Sequence, residues 1–412
     1  MNLFDYLETA LDTFDERPLG PVDSAALSQF CMVRGEGVIP AALWRGSAIA
    51  RLRAWVSRPA RFSDLLRAER YDGLFCGLAP DGVKRELAAL AASPRFRDVR
   101  VCEYVDDFDE SAEKQFSACT LRLPAGGAYL SFRGTDNTVV GWKEDFNMAF
   151  ETGVPSQRAA LAYLERVSPM VEGPLYLGGH SKGGNLAVYA TARCPEAVAA
   201  RIGRSFSHDG PGFTEEVLAD DGWLDRSHLV SKTVPRSSVI GMLFERQEDY
   251  AVVASSTSGL MQHDPFSWVV EGTDFAYETG IGRGASFVDK TLNEWIASMT
   301  REERAGFVDT LFSVISAGGR DTFGELGDDW QTTVPAMLRE LGALEPGQRA
   351  KITRALALLA RSVMPDFELP QMPELEMPQL ELPDFAALEQ ERMVPLGERM
   401  ARLTGADDPS PR

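Results

Sequence analysis

The sequence predicts an α/β fold with a mostly parallel central sheet, preceded by a helical segment and followed by a helical region. Three observations carry this. Short apolar or alternating runs at 99–105, 116–123, 128–132, 174–178, 204–208, 229–234 and 250–254 have the length and bounding turns of strands. Amphipathic stretches at 156–167 and from 185 onward separate the central runs, as right-handed crossovers between parallel strands require. At 412 residues, 44% hydrophobic and 25% charged, the composition is that of a globular protein able to bury a large core.

Taken in order, residues 1–95 read as mostly helical. The segments are Asn2–Phe14, Ser24–Val33, Ala42–Val56 and Asp81–Ala92. Asp23 or Ser24 would cap the second, and Pro18, Pro21 and Pro40 would break the run. Residues 96–283 form the α/β core. Its first strand alternates from Val99 to Val105 and is closed by an acidic turn, Asp106 to Glu110. Phe116–Leu123 and Ala128–Phe132 follow, joined by a hairpin connection at Pro124-Ala125-Gly126-Gly127. Ser156–Val167 crosses over to the run ending at Gly178. Arg204–His208 is the next strand, stopped by Asp209-Gly210-Pro211-Gly212. Leu229–Val234 and Ser238–Phe244 read as one strand interrupted at Pro235, and Tyr250–Ala254 as the last. Residues 284–363 turn helical. Val288, Leu292, Trp295, Ile296 and Met299 share a helical face, and Thr300-x-x-Glu303 is a capping box. Phe307, Val308, Leu311, Phe312 and Ile315 mark one further face, and Ile352, Leu356, Leu359 and Val363 another. Residues 364–412 are an acidic tail. Prolines recur there every three to five residues up to Pro383, which favours an extended, flexible segment or one that docks its Leu and Met side chains on a partner or on the same chain.

The charge narrows the partners. The formal net charge is −19, and residues 365–391 carry eight acids with no Lys or Arg. That argues against nucleic acid and anionic membranes. No apolar run has transmembrane length and the N-terminus lacks the features of a signal peptide. Five scattered cysteines without a Cys-x-x-Cys fit reduced thiols in a cytoplasm better than a disulfide framework or a metal site.

The chemistry centres on Gly179-His180-Ser181-Lys182-Gly183-Gly184. A Gly-x-Ser-x-Gly between an apolar strand and a helix is the context of a nucleophile elbow. Small residues flank the serine because the turn is tight. The Lys182 N–H, at a helix N-terminus, is one candidate oxyanion donor. Thr135, in the Arg133-Gly134-Thr135-Asp136 loop after a central strand, is the other. An activated serine needs a base and an orienting acid. Of four histidines, His180 adjoins the nucleophile and its side chain should point away from the Ser181 hydroxyl. His208 ends a strand, and His228 would fall at the wrong sheet edge. His263 follows the last strand, in the chain order serine, acid, histidine. Asp209, on a rigid strand end, is the expected acid, with Asp249 the alternative; Asp264 is poorly placed to hold His263 from behind. No metal or organic cofactor is expected.

Several stretches together resemble a known family. Phe132-Arg133-Gly134-Thr135, Gly141-Trp142-Lys143-Glu144-Asp145 and Gly179 to Gly184 look like the lipase class 3 pattern. Asn2-Leu3-Phe4-Asp5-Tyr6-Leu7, Asp209 to Phe213 and Gln262 to Trp268 resemble an uncharacterised bacterial family, a domain of unknown function in the α/β-hydrolase superfamily. The resemblance spans residues 1–315 and implies an α/β-hydrolase fold, Ser181 as nucleophile and His263 as base. It also puts Thr135 and Lys182 at the oxyanion positions. Two departures stand out. Lys182 occupies a position that is usually leucine in those lipases. Ser238 stands where their acid is expected, within Val234-Pro235-Arg236-Ser237-Ser238-Val239. The expected activity is that of a serine esterase or lipase acting on a small-molecule ester or lipid-like substrate. The alternative is a catalytically silent binding or regulatory protein on the same scaffold, and an acyltransferase would look the same in sequence.

Overall fold

The spine of the computed structural model is an eight-stranded sheet in the order β1-β2-β3-β4-β5-β6-β7-β10. The structure describes residues 1–41, 58–77, 79–136, 138–148, 151–243, 249–282, 299–317, 319 and 330–363. The expected helices over 42–56 and 288–299 (apart from Met299), and the acidic tail, lie outside these residues. The strands are β1 (Arg100–Asp109), β2 (Lys114–Arg122), β3 (Ala128–Phe132), β4 (Leu175–His180), β5 (Ile202–His208), β6 (Val230–Pro235), β7 (Tyr250–Val253) and β10 (Tyr277–Glu278). A small hairpin, β8 (Val270–Glu271) with β9 (Asp274–Phe275), stands apart. Pairing is parallel from β3 through β7 and antiparallel at both margins. This mostly parallel sheet, with an elbow after β4, is an α/β-hydrolase fold.

Helices cover both faces. On one lie α1 (Leu3–Thr9), α2 (Pro21–Gln29) and α3 (Pro80–Ala92), packed with Leu121, Tyr129 and Phe206 of the sheet. On the other lie α5 (Pro155–Val167) and α6 (Lys182–Arg193), packed with Leu130, Phe132 and Leu177. Strand β3 shows why both faces are apolar. Leu130 and Phe132 face the α5–α6 side. Tyr129 points the other way, its hydroxyl 2.7 Å from both Ser24 and Ser28 of α2. The N-terminal helices therefore belong to the core of the sheet. A further cluster joins α4 (Val139–Asn147) to α7 (Arg301–Ser316), α8 (Trp330–Ala343) and α9 (Pro346–Val363) through Val139, Phe312, Leu341 and Ile352.

Several expected boundaries move, each for a local reason. Pro21 opens α2 rather than breaking it, since proline at the first helical position lacks only an N–H that would be unpaired there. Gly20 is the N-cap, and Asp23 is the third helical residue, accepting from the Gly20 N–H at 2.9 Å. The first helix stops at Thr9, held at its start by a capping box between Asn2 and Asp5. The acidic residues after Val105 continue β1 as far as Asp109, the first two being paired with cations: Asp106 with Arg133 at 2.9 Å and Asp107 with Lys114 at 2.7 Å. A register break between Cys102 and Val105, with Glu103 at φ 51°, accommodates the longer strand. Residues 238–243 form turns, not a strand; the Ser238 N–H closes one on Pro235 and the Leu243 N–H another on Ile240. The capping box at Thr300 is present, with the Thr300 N–H donating to Glu303 at 2.8 Å.

Candidate active site

Ser181 sits between β4 and α6 at φ 56° and ψ −130°. For a residue with a Cβ this backbone costs about 1–3 kcal/mol. The surrounding glycines make it tolerable. A methyl group on Gly183 would overlap the Phe132 carbonyl oxygen, and one on Gly179 would overlap the Gly183 carbonyl carbon. The turn is pinned from the side by the Ser181 N–H, which donates to the His208 carbonyl at 2.9 Å. As the first residue of α6, Lys182 carries a main-chain N–H with no acceptor inside the helix. Among the described residues the Ser181 hydroxyl makes no hydrogen bond.

The loop after β3 lies against this turn. A methyl on Gly134 would stand 2.7 Å from the His180 carbonyl oxygen and 3.5 Å from the Ser181 Cβ. Arg133 anchors the loop from below, buried, with its Nε donating to Cys31 O at 2.7 Å and its guanidinium to Asp106 at 2.9 Å. The Thr135 hydroxyl donates to Asp145 of α4.

Asp209 follows β5 at φ 51° and is buried. Its Oδ2 lies 2.6 Å from Nδ1 of His263, and its Oδ1 accepts from the Ser238 hydroxyl at 2.5 Å. So Ser238, at the position where an acid was expected, instead donates to the Asp209 carboxylate just after β5. Asp249 is exposed and makes no hydrogen bond to His263. Asp264 caps the following turn through the Phe266 N–H at 3.0 Å and does not hold His263. His263 ends a short 3-10 turn, Gly259–His263, and is partly open to solvent. His228 lies in a turn before β6. His208 is fully buried between Ser24 and Thr233, at 2.9 and 2.8 Å, and burial lowers its pKa to about 3. It is a neutral core residue.

Two features were not anticipated. First, the Lys182 side chain is fully buried and reaches Glu144 of α4 at 3.2 Å, with Asp145 at 3.8 Å. Glu144, also fully buried, further accepts from the Gln115 N–H (3.0 Å), the Ser156 N–H (2.7 Å) and the Ser156 hydroxyl (2.7 Å). Burial raises the Asp145 carboxyl to about 6, with Lys182 and the Thr135 hydroxyl pulling the other way. The signal was the adjacency of Glu144 and Asp145 with a lysine in a leucine position, but no sequence rule pairs residues 38 apart. Second, the His180 ring lies against that of His263, centroids 4.5 Å apart and tilted by 40°.

The Mbeg1-like family model matches residues 90–313. The chain belongs to the Mbeg1-like family. The matched range holds Thr135, Ser181, Lys182, Asp209 and His263 together with α4, so this Mbeg1-like chain carries all of its candidate site within the family region. Helices α1, α2, α8 and α9 lie outside it. No curated protein matches the chain. Among solved structures it is similar to a fungal lipase in an inhibitor complex, at 13% identity over 41% of this chain and 68% of that one, with a TM-score of 0.31. A triacylglycerol lipase described as having a serine protease triad shares 12% identity over 42% and 70%, with a TM-score of 0.30. A triacylglycerol lipase from Penicillium expansum shares 14% over 44% and 82%, with a TM-score of 0.28. Among the described residues of the Mbeg1-like chain, no helix is long and apolar enough to cross a membrane.

Proposed function

We propose that the chain is a serine hydrolase of lipase or esterase type, cleaving a carboxylic ester or related acyl bond of a small-molecule or lipid-like substrate. The observation that carries this is the 2.6 Å contact between His263 Nδ1 and Asp209 Oδ2, made by residues 54 apart in sequence. A buried carboxylate on Nδ1 fixes the tautomer whose Nε2 is free to take a proton. The Ser181 oxygen attacks the acyl carbon, forming the O–C bond as the carbonyl electron pair moves onto oxygen. The Ser181 proton passes to His263 Nε2. The Lys182 and Thr135 N–H groups receive the oxyanion, each donor worth about 3–4 kcal/mol in the barrier. Collapse breaks the bond to the leaving alcohol, which takes the proton from His263. Water then repeats the sequence on the acyl-enzyme. The mechanism calls on no metal or organic cofactor. We place the protein in the cytoplasm, because its five cysteines are free and buried.

One observation favours a silent scaffold instead: the Ser181 hydroxyl is not hydrogen-bonded to His263 among the described residues. Such bonds are often long in free enzymes and tighten with substrate. Intact-mass labelling with a fluorophosphonate separates the two. The expected result is one adduct on wild type and none on Ser181→Ala. No adduct on either would overturn the hydrolase reading.

A further inference from the structure

His180 ends β4, one residue before the nucleophile, and is buried. Its Nε2 lies 2.7 Å from the carbonyl oxygen of His263. A carbonyl oxygen only accepts, so Nε2 carries the hydrogen and Nδ1 does not. The ring stays neutral, because burial and the neighbouring His263 hold its pKa well below the usual histidine value. The preceding carbonyl, of Gln262, is held in the same manner by Trp268 Nε1 at 2.8 Å. The Gln262 side chain ties this turn to the one after β6, accepting from the Ser237 N–H at 2.7 Å. His263 is thus fixed from two directions: Asp209 holds its imidazole and His180 its main chain. Asp209 is itself held by Ser238 from the turn that Gln262 grips.

We propose that His180 is a positioning residue that sets the distance between nucleophile and base, through the hydrogen bond from its Nε2 to the His263 carbonyl. Its Cα is covalently one step from Ser181, and its ring reaches the main chain of the base. A single side chain therefore spans the two reacting residues across 83 positions of sequence. A glutamine presents an N–H near the place of Nε2, whereas a phenylalanine fills the ring space without a donor. This role rests on the hydrolase reading.

The test compares second-order fluorophosphonate labelling rates of wild type, His180→Phe and His180→Gln, with thermal unfolding recorded alongside. A misplacement of about 1 Å at a reacting pair costs about 100-fold in rate. His180→Phe is expected to label 10- to 100-fold more slowly at full fold integrity, and His180→Gln to recover most of that loss. A His180→Phe protein that folds and labels at the wild-type rate would overturn the role while leaving the hydrolase reading intact. Wild type failing to label would overturn both. Imidazole ¹H–¹⁵N spectra of wild type give a readout independent of reaction and of variant folding. His180 is expected to keep the Nε2–H tautomer from pH 5 to 8, and an Nδ1–H tautomer would overturn the role.

Discussion

At the scale of single residues, geometry rather than sequence position is what favours Asp209 over Asp249 as the proposed acid. Asp209 is the carboxylate on His263 Nδ1, and Asp249 faces solvent. Asp209→Asn is therefore expected to cut turnover about 10⁴-fold by favouring the wrong histidine tautomer, with Asp249→Asn near wild type. Steady-state kinetics of the two variants on one ester substrate checks this, and the reverse ranking would contradict it. Much at this scale was legible. The glycines around Ser181 announce a tight turn, and Asp209 announces itself by the rigid Gly210-Pro211-Gly212 that follows. Ser238 could be read as a departure from a pattern. Its partner could not, because that depends on where the turn after β6 folds back on β5. His180 was read only as pointing away from the serine hydroxyl; its actual target, a backbone carbonyl, leaves no mark in the identity of residue 263.

Among elements, the contact between α4 and α6 is the least expected. Two helices are bolted through one fully buried ion pair, Lys182 with Glu144, whose remaining acceptor sites are filled by Gln115 and Ser156. Removing one partner of such a pair leaves an uncompensated charge, at a cost of about 3–5 kcal/mol. Lys182→Met should lower the stability read from urea unfolding by that amount, and adding Glu144→Gln should restore part of it. A Lys182→Met protein as stable as wild type would mean the pair is not formed. Helices α3 and α5 were legible over 81–92 and 156–167, whereas α4 was not read as a helix from the sequence. The acidic run after Val105 misled, since charge normally signals a turn. Here Lys114 of β2 and Arg133, in the loop after β3, pair with Asp107 and Asp106, a tertiary fact invisible to a local window.

For the molecule as a whole, burial acts on acids in one direction. Asp145, Glu86, Glu103 and Asp264 all have pKa values raised by desolvation. A carboxyl whose folded pKa is raised binds its proton more tightly when folded. Its contribution is complete below the unfolded pKa, near 4, and is lost as pH rises through the folded value. For Asp145, at about 6, that is about 3 kcal/mol between pH 4 and pH 6. Asp145→Asn is expected to remove this decline, so the stability difference between wild type and variant, measured by urea titration, should change by about that amount across the window. A constant difference would contradict the assignment. The order of strands and crossovers was readable because each strand is short, apolar and punctuated. The packing of α7 on α4, and of α8 and α9 on α7, was not, since an apolar stripe names no partner. The four hydrogen bonds that converge on Glu144 also bear on traffic through the site. At about 1.5–3 kcal/mol each for bonds to a charged group, lifting α4 would cost at least about 6 kcal/mol. Fewer than about one molecule in 10⁴ would have that helix raised at any instant. Helix α4 therefore stays seated on β2, α5 and α6 while anything approaches Ser181.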